Sequence, residues 1–300
     1  MRYWQLRFAW VFLALPSLVV PDASARTWHI EADGTGDAPT IQAGIDSAAT
    51  GDTVAVHPGT YFENLAINDK DLVLRGLSGA EATVVDGGGH GRVLTWFGAG
   101  VLEGFTIRGG WMEIGGGIHL TGLGPAVIRQ NIIEDNAARG GGGVFLDVVA
   151  RSDIVIESNV VRNNWSESDG GGMLIANAAD GVPKVYVRDN LIEGNHVEDG
   201  LGGGIRSFNS HVTDNIIIRN FAAMSGGGAA CAARGEFARN TVAYNNTINL
   251  TLNGAGVTVS GSSVVVRNNL VVSNHGSPIT PSRSRHSLRF GRSPLQSRLG

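Results

Sequence analysis

Five carboxylates stand just ahead of short glycine clusters: Glu113 before Gly117, Glu167 and Asp169 before Gly172, and Glu198 and Asp199 before Gly204. Oxygen ligands gathered at one corner suit Ca2+, a hard cation that accepts flexible geometry. These five residues are the candidate ligands of a calcium site. The competing reading is a solvated acidic edge that deters strand pairing. Trp111 and Trp165 are expected in the same loops, with Trp96 one repeat earlier. Exposed indoles give flat platforms for sugar rings; otherwise they pack loops onto a surface. Trp111 and Trp165 are therefore the candidate substrate-binding residues. No residue carries a recognisable catalytic signature.

A repeat must bring these residues together. Two asparagines five residues apart recur as Asn131/Asn136, Asn159/Asn164, Asn190/Asn195, Asn215/Asn220, Asn240/Asn245 and Asn269/Asn274. Glycine clusters ending at Gly117, Gly143, Gly172, Gly204 and Gly228 accompany them, with a degenerate Gly254-Ala255-Gly256 after. Successive copies are offset by unequal steps of roughly 25 to 31 residues, a period that marks a solenoid, whose turns bury their apolar faces only by stacking.

The apolar segments are short and rich in Val and Ile, as in Ile154-Val155-Ile156, Val185-Tyr186-Val187 and Val264-Val265-Val266. Bounded by Gly, Asn and Asp, they predict strands. Helical repeats would not tolerate units so rich in glycine, and no regular leucine frame is present. A parallel coil of strands remains. Within it the asparagines are expected to take left-handed backbone at corners and to stack their amides into ladders. The glycines suit tight bends and close approach of coils.

The Asn-(Ile/Val) repeat over Gly104–Asn274 resembles the right-handed parallel β-helix proteins of the pectin-lyase-like superfamily. So does the entry segment: Asp33-Gly34-Thr35-Gly36-Asp37, Thr40-Ile41-Gln42-Ala43-Gly44-Ile45-Asp46, Gly51-Asp52-Thr53-Val54, Pro58-Gly59-Thr60-Tyr61 and Glu63-Asn64. The resemblance spans about residues 28–276. It implies an all-β, right-handed parallel β-helix of roughly eight to nine coils, with a short N-terminal helix plugging the open end. Ile41, Ile45 and Ala48 or Ala49 would form that helix's apolar side.

Fold likeness alone does not transfer activity. Gly89-His90-Gly91 matches a polygalacturonase-like tripeptide, but its acidic partner motifs are absent and it reads as a turn. Only Gln42 and Gln130 lie in the core, and no Gln-Asp or Gly-Arg-Pro-Trp motif supports a pectin-methylesterase-like enzyme. A pectate-lyase-like reaction would use calcium-binding acids and an arginine base; Arg108, Arg139, Arg162 and Arg206 are possible bases, none in a recognisable motif.

Residues 1–25 read as a secretory signal, with Arg2 and Arg7 ahead of an apolar stretch and Ala23-Ser24-Ala25 as a cleavage site. The β-helix is assigned to residues 26–276, and 277–300 to a disordered basic tail with five arginines and no acid. The repeats stop at Asn274 without an evident cap, so a longer natural chain, or a tail outside the native reading frame, is expected. Residues 26–276 hold 16 Lys and Arg against 26 Asp and Glu, which argues against nucleic acid as a partner. The single Cys231 excludes an internal disulfide and reads as a small buried residue. The function expected is a secreted or cell-surface β-helix that binds extracellular polysaccharide or serves as a rigid module. The alternatives are a calcium-assisted lyase of uronic-acid polymers and a stalk segment of a larger surface protein.

Overall fold

The computed structural model describes residues 24–148, 153–177, 185–248 and 254–276. Most of the signal segment and the whole basic tail lie outside the described residues.

One turn illustrates the coil. Strand Ile118–Arg129 lies in a 13-stranded sheet (sheet A), Ile132–Glu134 in a nine-stranded sheet (sheet B) and Ala137–Gly140 in a seven-stranded sheet (sheet C). The chain then bends through Gly141-Gly142-Gly143 and re-enters sheet A at Val144. Each strand pairs in parallel with its counterpart one coil away. Ile118 stands in register with Leu94 below and Val144 above, and the column continues through Met173, Ile205 and Ala229. All six side chains are fully buried. The period-two alternation of strands supplies this core: inward residues stack into columns while their neighbours face out.

The two corners flanking sheet B are held by the asparagines. Asn131, Asn159, Asn190, Asn215, Asn240 and Asn269 form one ladder; Asn136, Asn164, Asn195, Asn220, Asn245 and Asn274 form the other. From the second rung on, the side-chain oxygen accepts from the backbone N–H and the Nδ2 of the preceding asparagine, as Asn195 Oδ1 does from Asn164 N (3.0 Å) and Asn164 Nδ2 (3.0 Å). Nδ2 also donates to a carbonyl of the coil below, Asn195 to Val161 at 2.9 Å. Buried amides are thus satisfied by one another and by the backbone.

The left-handed residue at these corners is not the asparagine. It is the residue before it: Gln130, Ser158, Asp189, Asp214, Arg239 and Asn268 ahead of one ladder, and Asp135, Asn163, Gly194, Arg219, Tyr244 and Ser273 ahead of the other, all with φ between 52° and 65°. The asparagine's amide network fixes the bend, and its neighbour accepts the backbone cost.

Helix Ile41–Ser47 closes the N-terminal end. Ile41, Ile45 and the following Ala48 are buried, and both Glu63 carboxylate oxygens accept from the first helical N–H groups, of Ile41 (3.0 Å) and Gln42 (2.9 Å). The last described coil has no such cover among the described residues. Val266 and Val271 are 52% and 49% exposed, although their partners one coil below, Phe237 and Val242, are fully buried. Among the described residues no helix is long and apolar enough to cross a membrane.

Candidate functional site

The outward face of sheet C carries the residues singled out by type. Val197, Ser166 and Ala138 point inward and are buried, so alternate residues face out. Register places Trp111 opposite Ala137, Ala137 opposite Trp165, Trp165 opposite His196 and His196 opposite Phe221. The rings of His196 and Phe221 stack with centroids 4.6 Å apart and planes 13° apart. Trp111 is 48% exposed because its strand, Trp111–Ile114, is the end strand of sheet C. The two tryptophans thus sit on strands of a single face, not in loops. Trp96 is different: it is an inward core residue, 1% exposed.

Two residues further along the chain from each of these positions runs a charged row. Arg139 reaches Glu113 (Nη1 to Oε1, 3.4 Å) on one side and Glu167 (Nε to Oε2, 3.1 Å) on the other. Glu198 occupies the next rung, its Oε2 3.5 Å from His196 Nε2. Burial lowers the His196 pKa and outweighs the opposing pull of Glu198. The backbone N–H of Asp199 donates to the Glu167 carbonyl at 2.8 Å, which sets Asp199 beside this row. Between the row and the glycine corner lies an open depression of about 270 Å³, lined by Glu113, Arg139, Gly140, Glu167, Ser168 and Leu174 among others.

The five candidate calcium ligands therefore take different surroundings. Glu113 and Glu167 share Arg139. Asp169 turns into the corner, where Oδ1 accepts from Leu201 N (2.9 Å) and Oδ2 lies 4.0 Å from Arg206 Nε. Glu198 and Asp199 stand one coil on. Among the described residues no three His, Cys, Asp or Glu side chains are grouped so that they could hold a metal ion. Arg108, Arg139 and Arg162 are each paired with carboxylates, and the Arg206 guanidinium lies 4.6 Å from the Phe208 ring centroid. Cys231 is buried in the core; burial pushes its thiol up to about 11.

Residue type alone does not mark His196 and Phe221 as partners of the tryptophans. The signal that finds them is positional. Each follows the second asparagine of its pair, as Trp165 does, and Glu167 and Glu198 follow two residues later.

Stacked parallel coils with asparagine corners define a β-helix repeat protein. The profile of the family described as right handed beta helix region matches residues 81–222. The chain is a right-handed parallel β-helix protein, and its repeat is consistent with the pectin-lyase-like superfamily. It is 33% identical over 152 residues to the "Probable ABC transporter binding protein NosD" of Pseudomonas aeruginosa. That match covers 47% of this chain and 31% of the relative, so the chain spans about a third of the relative's length. No solved structure matches the chain.

Proposed function

We propose that the protein is an exported binding β-helix that holds an extended polysaccharide along the outward face of sheet C. The observation that carries this reading is the ring row Trp111, Trp165, His196 and Phe221, broken only by the small Ala137. Adjacent strands lie about 4.8 Å apart, so the two tryptophans are about 9.6 Å apart along the coil axis. That separation suits alternate rings of a β-linked chain lying parallel to the axis. Amphipathic rings serve as such platforms without needing to close around the ligand. The charged row beside them supplies hydrogen-bonding groups for hydroxyls. The relative's name describes a binding protein, which favours binding over turnover. Export rests on the segment 1–25.

The test is affinity electrophoresis of folded protein in gels containing soluble β-glucan, galactomannan, pectic, alginate and amino-sugar polymers, with calcium or with chelator. At least one polymer is expected to retard the wild type. Trp111→Ala and Trp165→Ala are expected to weaken that retardation about tenfold, the loss of one stacked ring. Folded wild type that binds none of the polymers, or a Trp111→Ala/Trp165→Ala double variant that binds normally, overturns the reading. Calcium-dependent release of unsaturated ends would replace it with a lyase.

A further inference from the structure

Three outward rows of charge climb this coil, and two of them alternate strictly over five rungs before ending at Thr213 on sheet A and Ile218 on sheet B. On sheet A the row runs Arg75, Glu103, Arg129, Glu157, Arg188. On sheet B it runs Asp86, Arg108, Glu134, Arg162, Glu193. Each acid in these rows has a guanidinium on an adjacent rung, and many are close pairs, such as Arg129–Glu103 and Arg162–Glu134, both 2.6 Å. The alternation cancels charge and locks the sheet.

The row on sheet C breaks the rule. Its order is Glu113, Arg139, Glu167, then Glu198 where an arginine would continue the pattern, then Ala223. Asp199 adds a further carboxylate beside Glu198. One guanidinium is thus divided between two carboxylates at 3.1 and 3.4 Å, and the row supplies no second one. The side chains of Glu113, Glu167 and Glu198 are 73%, 51% and 63% exposed. The break falls on the face that bears the rings, with Trp111 beside Glu113, Trp165 beside Glu167 and His196 beside Glu198.

Resting on the reading of this face as a glycan platform, we infer that its ligand is a cationic polysaccharide, a polymer of unacetylated amino sugars. Each ring of such a chain carries an ammonium group. With the sugar face on an indole, that group reaches the carboxylate two residues along the chain, Glu113 beside Trp111 or Glu167 beside Trp165. Ammonium–carboxylate hydrogen bonds are among the stronger polar contacts available at a surface. A uronic-acid polymer would bring its carboxylates against Glu113, Glu167, Glu198 and Asp199, with only Arg139 in the row to receive them. A neutral polymer would stack equally well but would leave the broken alternation without a role. Complementary charge also raises the encounter rate and makes binding sensitive to salt.

The experiment is isothermal titration of the folded full chain with three soluble oligosaccharides of equal length: β-1,4-glucosamine, its fully N-acetylated form and α-1,4-galacturonate. The glucosamine oligomer is expected to bind about tenfold tighter than the acetylated form, the worth of one charge-assisted hydrogen bond, and to weaken with added salt. Glu198→Gln is expected to remove most of that advantage, weakening the glucosamine oligomer far more than the acetylated one. Arg139→Gln is expected to strengthen glucosamine binding. Equal affinity for glucosamine and acetylated oligomers overturns the inference and leaves the glycan platform standing. Tighter binding of galacturonate overturns it as well. Should folded protein bind none of the three, and no polymer in the gels either, both readings fall together.

Discussion

Gly172 lies against Asn195: a Cβ on the glycine would stand 3.0 Å from the asparagine's Nδ2 and 2.5 Å from the Gly204 carbonyl oxygen. The same closeness recurs between Gly143 and Asn164, Gly204 and Asn220, and Gly228 and Asn245. The glycine cluster and the asparagine ladder are two sides of one contact. Gly172→Ala must displace either a ladder amide or a backbone carbonyl, neither of which is free to move. A loss of about 2 kcal/mol or more is expected, in the range for overpacked interiors. Urea unfolding of the variant measures it. A change under about 0.5 kcal/mol, the scale of an ordinary surface substitution, would show that the coils can slide apart at this corner.

Asn195→Ala tests the other side. It removes the acceptor of Asn164 N and Asn164 Nδ2 and the donor to the Val161 carbonyl. Asn164 N and the Val161 carbonyl lose these bonds outright, and Asn164 Nδ2 keeps only its bond to the Ile133 carbonyl. At about 1–3 kcal/mol for each buried group left unsatisfied, and with water able to reach some of them, a loss of about 3–5 kcal/mol is expected. Asn195→Asp keeps the acceptor but not the donor, and should fall between the wild type and Asn195→Ala. If Asn195→Ala unfolds at wild-type urea concentration, the ladder contributes nothing to stability.

Gly194 precedes Asn195 with φ of 65°. Glycine is the expected residue at such backbone, yet the matching positions hold Asp135, Asn163, Arg219, Tyr244 and Ser273. The corner therefore accepts side chains, and the neighbouring atom at Gly194 is the side-chain oxygen of Asn163, 2.9 Å from a built Cβ, which can rotate. Gly194→Asn should change stability by less than about 0.5 kcal/mol, because Asn takes left-handed backbone readily and reduces the freedom of the unfolded chain. A loss above about 2 kcal/mol, the scale of overpacking or trapped backbone strain, would mean that the two corners are not equivalent.

His119, on the outward face of sheet A, sits between the rings of Phe97 and Phe145, at 6.2 and 4.9 Å. Burial first, and then the nearby Arg92 charge, bring its pKa from 6.5 down to about 4 despite Asp147. The folded state refuses a proton that the unfolded state accepts. Stability is therefore full above about 6.5 and falls as pH drops toward about 4. Glu103 acts lower on the scale. Burial tends to raise its carboxyl, but Arg129 and Arg75 together hold it below its ordinary 4.5, so its contribution is lost only below that value. Thermal melts across this range should show wild type declining, and His119→Leu declining less between about 6.5 and 4.5. Parallel curves for the two proteins would remove His119 as the cause.

The corners are legible in the sequence because each coil makes the same corner with the same residue type. Asn and Gly recur there for reasons of hydrogen bonding and space that no other side chain satisfies. The outward rows are not legible. Their members differ in type, from Trp165 to His196 to Phe221, and the unequal steps between coils hide their register. Sequence reasoning places the left-handed positions one residue late, because Gln130, Ser158, Asp189 and Arg239 share no chemistry that marks them. It also groups Trp96 with the surface tryptophans. Trp96 alternates with Thr95 and Phe97 in a strand, Leu94-Thr95-Trp96-Phe97, with apolar residues on both faces, and type alone cannot tell inward from outward there.

The unequal ends of the coil set a gradient of local stability. At the N-terminal end, the helix Ile41–Ser47 covers the first coil and Glu63 satisfies its leading N–H groups. At the other end, and among the described residues, strand Val257–Arg267 is the terminal strand of its stack, Leu270–Val272 is about half exposed along its length, and Asn269 and Asn274 have no further rung above them. A solenoid's stability is close to a sum over neighbouring repeats, so a repeat with one neighbour opens first. Amide hydrogen exchange should be fastest in residues 257–276, slower by about a hundredfold in the coils holding Ile192 and Ile217, and slow again in residues 53–56. A hundredfold corresponds to about 2.7 kcal/mol, the order expected for losing one apolar interface. Val271→Asp should leave exchange in residues 53–134 unchanged and speed it only in the last two coils. Uniform exchange along the chain would instead indicate that something bound to the open end, or a single cooperative unit, protects the final coil as well as the first.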